Sequence, residues 1–410
     1  MKSDLDSLMQ NRNLDALLVV GPGQNNPAMV YLTGGAHMTD AYLIKPRGAA
    51  PVLFHRTMER DEAARSGLPT RNLDEYRLDE LRKQLDGNLI NAITTRYRQM
   101  FKDVGVASGR VAIYGQYDAG TAFAIFSALQ TALPELEFVG EMEDTLLSAA
   151  MSTKDQSEVD RIRKMGQITV SVVGQVAEFI CSHRVQNQVV VKPDGSPLTI
   201  GEVKQKINLW LAECGADNPE GAIFAIGGDS AVPHSTGTTT DALRLGETII
   251  FDIFPCEASG GYHYDFTRTW CLGYAPDAAL AMYDDVLDVY QQLMKQIQVF
   301  TPCSIYQQLA CELFKSKGHL TLMEDPLTQE GFVHSLGHGL GLRVHERPFF
   351  RLNSDETERL EPGVVITIEP GLYYPKRNLG VRLEDTIWVR PDGKIEVLAE
   401  YPMELVLPMK

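Results

Sequence analysis

No C-x-x-C pair and no short, dense cysteine framework occurs in the 410 residues; the six cysteines, Cys181, Cys214, Cys256, Cys271, Cys303 and Cys311, are scattered. That spacing excludes a disulfide-stapled secreted scaffold, and the thiols read as reduced residues of a cytoplasmic protein. No apolar run reaches the roughly 18 residues that a membrane helix requires. The opening "MKSDLDSLMQNRNLDALLVV" carries acidic residues where a signal peptide would want positive ones. A soluble chain with no membrane partner is expected. Basic residues are also few, 38 Lys and Arg against 54 Asp and Glu, giving a formal net charge of −16 with no Lys or Arg run. Phosphate binding needs clustered cations, so nucleic acid is not an expected partner. Acidity can instead conceal a cation site, because carboxylates around divalent ions count as negative in a sequence and are neutralised in the fold.

Several common catalytic signatures are missing as well. There is no G-x-S-x-G elbow, and "VHERP" lacks the second histidine of a zincin helix. "GPGQNN" and "GHGLGL" contain glycine pairs, but neither follows a strand and opens a helix as a dinucleotide fingerprint must. Ser230 and His234 in "GGDSAVPH" have no convincing acidic orienter.

What is present suggests two domains, since the length exceeds the usual single-domain size. In residues 1–148, "LDALLVVG", "AYLIKP", "APVLFH", "RVAIYG" and "LEFVGEM" read as strands, and "TMERDEAARSG" and "AGTAFAIFSALQTAL" as helices. Their order predicts an α/β domain. Residues 149–410 open with a long amphipathic helix, for which Thr153 and Gln156 fit a capping box and Val159, Ile162, Ile168, Val172, Val176 and Phe179 recur at helical spacing. Thr199 and Glu202 signal a second capped helix that runs to Cys214, and "ALAMYDDVLDVYQQLMKQI" and "SIYQQLACELFKSKG" two more. The strand-like runs "ETIIFDIF", "YHYDFTRTWCLG", "GLGLRVHERP", "GVVITIEPGLYY" and "GVRLEDTIWVR" are grouped, not strictly alternating with helices. An α+β domain with a mainly antiparallel sheet is the expectation.

The chemistry concentrates in those runs. "FDIFPCEASGGYHYDFTRTW" reads as a hairpin with Gly260 and Gly261 in its turn, which brings Asp252 and Asp265 side by side. In "VRLED", Arg382 and Glu384 are two apart on a strand and share a face, with Asp385 on the other. Glu369 ends an apolar strand stopped by Pro370 and Gly371. If Asp252, Asp265, Glu369 and Glu384 converge without cations, repulsion and desolvation raise their pKa values and strain the fold. Two divalent ions balance four carboxylates. "HSLGHGLGLRVHERP" adds His334, His338 and His345, any of which has the chemistry to bind a metal.

With these residues in view, the second half, about residues 150–405, resembles the pita-bread metallopeptidases: Xaa-Pro aminopeptidase, prolidase, methionine aminopeptidase and the metal-free creatinase. "D-x-T-R-T", "H-x-x-G-H-G-x-G-L", "E-P-G-x-Y" and "G-x-R-x-E-D" all occur in the family's order. The first half resembles the creatinase-type N-terminal domain of the prolidase and aminopeptidase P branch. The resemblance implies a pita-bread catalytic domain holding two divalent ions through Asp252, Asp265, His338, Glu369 and Glu384, with manganese expected and cobalt or zinc possible. It implies substrate-side or proton-handling roles for His234, His334 and His345, and places Arg382 and Tyr373 near the reaction. One neutral imidazole among four oxygen donors keeps such a site hard.

The expected activity is hydrolysis ahead of proline at the N-terminus of a peptide, as in aminopeptidase P, with Glu369 as general base. The alternative is a prolidase acting on Xaa-Pro dipeptides. A homodimer is also implied. A creatinase-like reaction is disfavoured because all five ligand positions are intact, and the same intact set weighs against a non-catalytic binding module. A methionine aminopeptidase generally lacks the N-terminal domain. One departure from the family stands out, the thirteen positions that separate Asp252 from Asp265. They are read as a longer hairpin tip, since a register shift of one would turn Asp252 away.

Overall fold

The computed structural model describes residues 4–409. The chain divides into two compact units, one of residues 1–151 with 259–261, the other of residues 152–258 with 262–410.

The first unit is built on a six-stranded sheet ordered Thr70–Asn72, Val52–His55, Ala41–Pro46, Ala16–Gly21, Gly109–Gly115, Leu136–Val139. Ala16–Gly21 is wholly buried at the centre. It pairs antiparallel with Ala41–Pro46 and parallel with Gly109–Gly115, so the sheet is mixed. Helices Leu89–Asp103 and Ala119–Ala132 begin at Asn88 and Asp118, whose side chains accept the N–H of Asn91 and Thr121. Tyr97, Met100, Phe101 and Leu129 from these helices close over Leu18, Ile44 and Val111 of the sheet.

The second unit opens with the 26-residue helix Gln156–Cys181. Its capping box lies two residues later than the sequence suggests: Asp155 accepts the N–H of Glu158, and Glu158 accepts that of Asp155. Thr153 is instead bridged to Val364. Side chain and backbone of Asp155 and Glu158 complete both bonds of the box, and the Thr153 backbone is already committed to its bridge with Val364. The buried stripe holds Val159, Ile162, Val172 and Val176, with Ile168 and Phe179 half-buried on its flank. Helix Ile200–Glu213 starts at the Thr199–Glu202 capping box and stops where Gly215 turns at φ +71°. Helices Asp277–Gln296 and Cys303–Ser316 pack Val286, Leu293 and Phe314 against Ile366 and Ile387 of the sheet.

The strands form three main sets. Ala222–Ile226, Thr248–Ile253, Phe266–Leu272 and Val406–Leu407 make a four-stranded sheet, antiparallel except for the last pair. Glu346–Phe349, His338–Gly339, Val365–Ile368, Asp385–Val389 and Ile395–Val397 make a five-stranded antiparallel sheet. Gly371–Tyr374 and Leu379–Arg382 form a separate hairpin. The expectation of an α+β unit with mostly antiparallel pairing holds.

Three of the long runs are shorter than they look. "GVVITIEPGLYY" breaks at Glu369-Pro370 and "GVRLEDTIWVR" at Leu383-Glu384, so each supplies strands to two different sets. "GLGLRVHERP" is extended only at its ends, with bends between. Proline cannot donate to a ladder, which ends the first run. The bends in "GLGLRVHERP" return the chain to the same five-stranded sheet, whereas the break at Leu383-Glu384 passes it from the hairpin to that sheet.

Candidate metal centre

The hairpin keeps the register that the acidic pair requires. Asp252 lies opposite Thr267, and Asp265, two residues before Thr267, shares its face. Asp265 stands just before the strand and not within it, as the alternation had suggested. The extra length is taken up beyond Ile253 and Phe266, where Cys256–Glu257 pairs with Ala216–Asp217. Asp252, Asp265, His338, Arg382 and Glu384 are all buried, and Glu369 is half-buried.

Asp265, His338 and Glu384 bring one ligand atom each to within 4.8 Å of one another. Glu369 joins them, its Oε1 lying 3.5 Å from His338 Nε2, while Asp265 Oδ2 lies 3.7 Å from the same nitrogen. His338 Nδ1 is 3.1 Å from the Gly339 carbonyl, which can only accept. The proton therefore sits on Nδ1, and the Nε2 lone pair points at two carboxylates. Burial first, and His345 next, push the His338 pKa down to about 3, so the ring is neutral. A lone pair facing carboxylate oxygens is repulsive unless a cation or a proton lies between them.

The carboxylates show the same need. Burial drives Asp265 and Glu384 well above the carboxylate range, with neighbouring acids adding to it, and burial with Asp252 holds Glu369 up at about 8 against the opposing Arg382. Asp252 Oδ1 and Asp265 Oδ1 are buried and accept no hydrogen bond. Oxygen donors with unused lone pairs, around one neutral imidazole, fit hard divalent cations.

A hydrogen-bonded chain leads away from this cluster. Arg382 Nη2 donates to Asp252 Oδ2 at 2.6 Å and Nη1 to the Tyr373 hydroxyl at 2.8 Å, and Tyr373 reaches His334 Nε2 at 3.0 Å. His334 Nδ1 donates to the Ser335 carbonyl at 2.7 Å, which leaves Nε2 to accept from Tyr373. Burial and Arg382 lower the His334 pKa to about 3, while burial raises Tyr373 to about 12. Arg382 Nη1 also donates to the Pro233 carbonyl, one residue before His234. His234 itself is exposed, yet near enough that its charge depresses His334 and His345. His345 opens to solvent, and its ring centre is 4.3 Å from that of His338. Ser230 is unavailable as a nucleophile, being buried and bonded to the Gly227 carbonyl and Thr248.

Residues to which the sequence reading gave no role support these groups. Thr267 donates to Glu384 Oε2 at 2.7 Å and receives Arg382 Nε at 3.4 Å, so Arg382 and Glu384 do face one side, although the strand breaks between them. Asp385 faces the opposite way, toward Arg268 and Tyr290. The signal for Thr267 is its place two residues after Asp265 along one extended run.

Metallopeptidase family M24 is matched over residues 160–391, and the creatinase/prolidase N-terminal domain over residues 3–144. The chain belongs to metallopeptidase family M24. Among its relatives, an Xaa-Pro dipeptidase of Pyrococcus horikoshii is 26% identical over 388 residues, which are 94% of this chain and 93% of that one. Two solved structures are similar over nearly the whole length. A dipeptidase of Pyrococcus horikoshii has a TM-score of 0.75 at 23% identity, covering 98% of this chain and 99% of that one. An X-Pro aminopeptidase of Thermotoga maritima has 0.73 at 21%, covering 96% and 97%. These likenesses show a pita-bread catalytic unit preceded by a creatinase-like domain, and the enzyme class is metallopeptidase.

Proposed function

We propose that this metallopeptidase hydrolyses the bond ahead of proline, with two divalent ions held by Asp252, Asp265, His338, Glu369 and Glu384. The observation that carries the reading is the His338 Nε2 lone pair facing Asp265 and Glu369 across 3.5–3.7 Å, with buried carboxylate oxygens left over. Bound divalent ions supply Lewis acidity for a water and for a substrate carbonyl. Glu369 is the proton acceptor, because it alone of the acidic cluster is only half-buried and so reaches the substrate side. Tyr373 and Arg382 hold His334 in one tautomer beside Glu369, whose Oε2 is 3.8 Å from the ring. His345, open to solvent, exchanges protons with the medium, and His234 borders the substrate entrance.

The dipeptide arm is favoured over the aminopeptidase arm, since a relative that aligns in sequence over nearly the full length is named as an Xaa-Pro dipeptidase. Manganese is proposed as the native ion on the hardness of the donor set. A homodimer is supported by Met58, Phe123 and Met142, large apolar side chains exposed on the first unit, and a cytoplasmic location by the dispersed cysteines. The experiment is a panel of Xaa-Pro dipeptides and Xaa-Pro-Yaa tripeptides assayed with the manganese-loaded and the rigorously chelated enzyme. Cleavage before proline only in the loaded form is expected, fastest on dipeptides. Full activity after chelation, or no cleavage of any proline peptide with manganese, cobalt or zinc, overturns it.

A further inference from the structure

The stretch between His338 and Glu346 has no regular structure, yet it carries a histidine that has to be held in place. Alternating glycines, Gly337 just before it and Gly339 and Gly341 within it, let it lie flat against its surroundings. A Cβ on Gly337 would fall 2.0 Å from the Thr367 carbonyl oxygen, on Gly339 2.0 Å from that of Arg347, and on Gly341 2.4 Å from Glu346 Oε2. At Gly337 and Gly339 backbone oxygens leave no room for a side chain, and at Gly341 a side chain would push the Glu346 carboxylate aside.

The last of these neighbours is a buried charge. Glu346 Oε2 accepts from Lys154 Nζ at 2.9 Å with both side chains almost inaccessible, at 5% and 2% exposure. Glu346 Oε1 accepts the N–H of Arg343 at 3.1 Å. Its backbone lies opposite Gly339, next to His338. Lys154 is fixed in turn, because its N–H donates to the Gly363 carbonyl at 2.8 Å and Asp155 caps the long helix directly after it. Both neighbours of His345, Val344 and Glu346, are turned inward and buried, which leaves the imidazole outward and 4.3 Å from the His338 ring.

We propose that Lys154 and Glu346 are positioning residues of the hydrolytic site: their buried ion pair curls residues 341–345 and so aims His345 at the metal centre. The inference rests on the reading of His345 as an active-site group. Two charges out of water stabilise little on balance, since a hydrophobic pair of similar volume often does as well. What such a pair supplies is direction, as its geometry admits one arrangement of the loop wound about the carboxylate.

The test uses the full-length, manganese-loaded enzyme with Lys154→Met, Glu346→Gln, His345→Ala and the Lys154→Met/His345→Ala double variant. Lys154→Met should lower kcat on an Xaa-Pro dipeptide by roughly ten-fold or more, the size seen when outer supports of a metal site are removed. KM and bound metal should stay unchanged. In the His345→Ala background it should cost nothing further, the non-additivity expected of residues acting through one group. Glu346→Gln keeps the shape of the side chain and serves in the same cycle if Lys154→Met does not fold. Losses that multiply in the double variant, or metal content falling in step with kcat, overturn the proposal. Hydrogen exchange of segment 341–346 without substrate should accelerate in Lys154→Met while segment 365–382 is unchanged; equal rates in both proteins also overturn it. If the wild-type enzyme cleaves no proline peptide, the functional reading fails, and the exchange measurement still decides the clamp.

Discussion

Glu369 has a pKa pushed up to about 8 because it is buried and stands near Asp252. An unfolded glutamate titrates near 4.3. Between those values the metal-free native state binds a proton that the unfolded chain has lost, so the stability this proton contributes falls as pH rises and is gone once pH passes about 8. Asp265 and Glu384 are shifted in the same direction. His334 and His338 act oppositely, since their pKa values drop from 6.5 to about 3 and they weaken the fold as pH falls below 6.5. The two effects overlap in acid and separate above pH 6.5, where only the carboxylates still titrate. From pH 6.5 to 8 the chelated protein should lose roughly 2 kcal/mol through Glu369 alone, while the manganese form, whose carboxylates face cations, should hold steady. Calorimetric melts of both forms at the two pH values check this. A chelated protein with the same stability at both would mean that these carboxylates are charged without a cation.

At the scale of elements, the centre depends on how strands stop. Arg268 Nη1 donates to the Glu384 and Thr267 carbonyls, Nη2 to Asp385 and the Tyr401 carbonyl, and Nε to the Pro402 carbonyl. It thus pins the break at Leu383-Glu384, the point where one segment passes from the hairpin Gly371–Arg382 to the five-stranded sheet. Tyr290 secures the other oxygen of Asp385 at 2.6 Å. Arg268→Met should destabilise the protein by about 3–5 kcal/mol, since it strands the Asp385 charge. It should also weaken manganese binding ten-fold or more through Glu384, as removal of supports around metal ligands does. Titration calorimetry measures the affinity; unchanged binding would show that Glu384 is held without this arginine.

Such a break was not legible in the residues, because "GVRLEDTIWVR" holds no proline or internal glycine to stop a strand, and only the partners on either side decide where pairing changes. Helix starts are readable where side chains close a local ring, as at Thr199 and Glu202, and not at Thr153, whose backbone bridges to Val364 while Asp155 caps the helix. The acidic hairpin could be anticipated from alternation, since Asp265 and Thr267 share a face and the register that sets Asp252 opposite Thr267 brings it to the same one. Lys154 and Glu346, 192 positions apart in a single ion pair, left no local signal: a lysine before a helix and a glutamate after a histidine look like solvated charges.

Over the whole molecule, the five residues proposed to bind metal, Asp252, Asp265, His338, Glu369 and Glu384, are separated along the chain, and each lies at or next to an end or a break of a strand in the second unit. Loop closures of this size bring no contact until the strands are already paired, so cation binding and the final packing of these sheets should be one event. Metal at about a hundred times its dissociation constant stabilises by about 2.7 kcal/mol. That protection should appear where the ligands are seated, in Thr248–Ile253, Phe266–Leu272, Val365–Ile368 and Leu379–Val389, and be absent from the first unit, whose six-stranded sheet has its own core of Leu18, Tyr97 and Phe101. Hydrogen exchange with and without manganese, followed peptide by peptide, measures the pattern. Protection spread evenly over both units would mean that the ions stabilise something other than the cluster around His338.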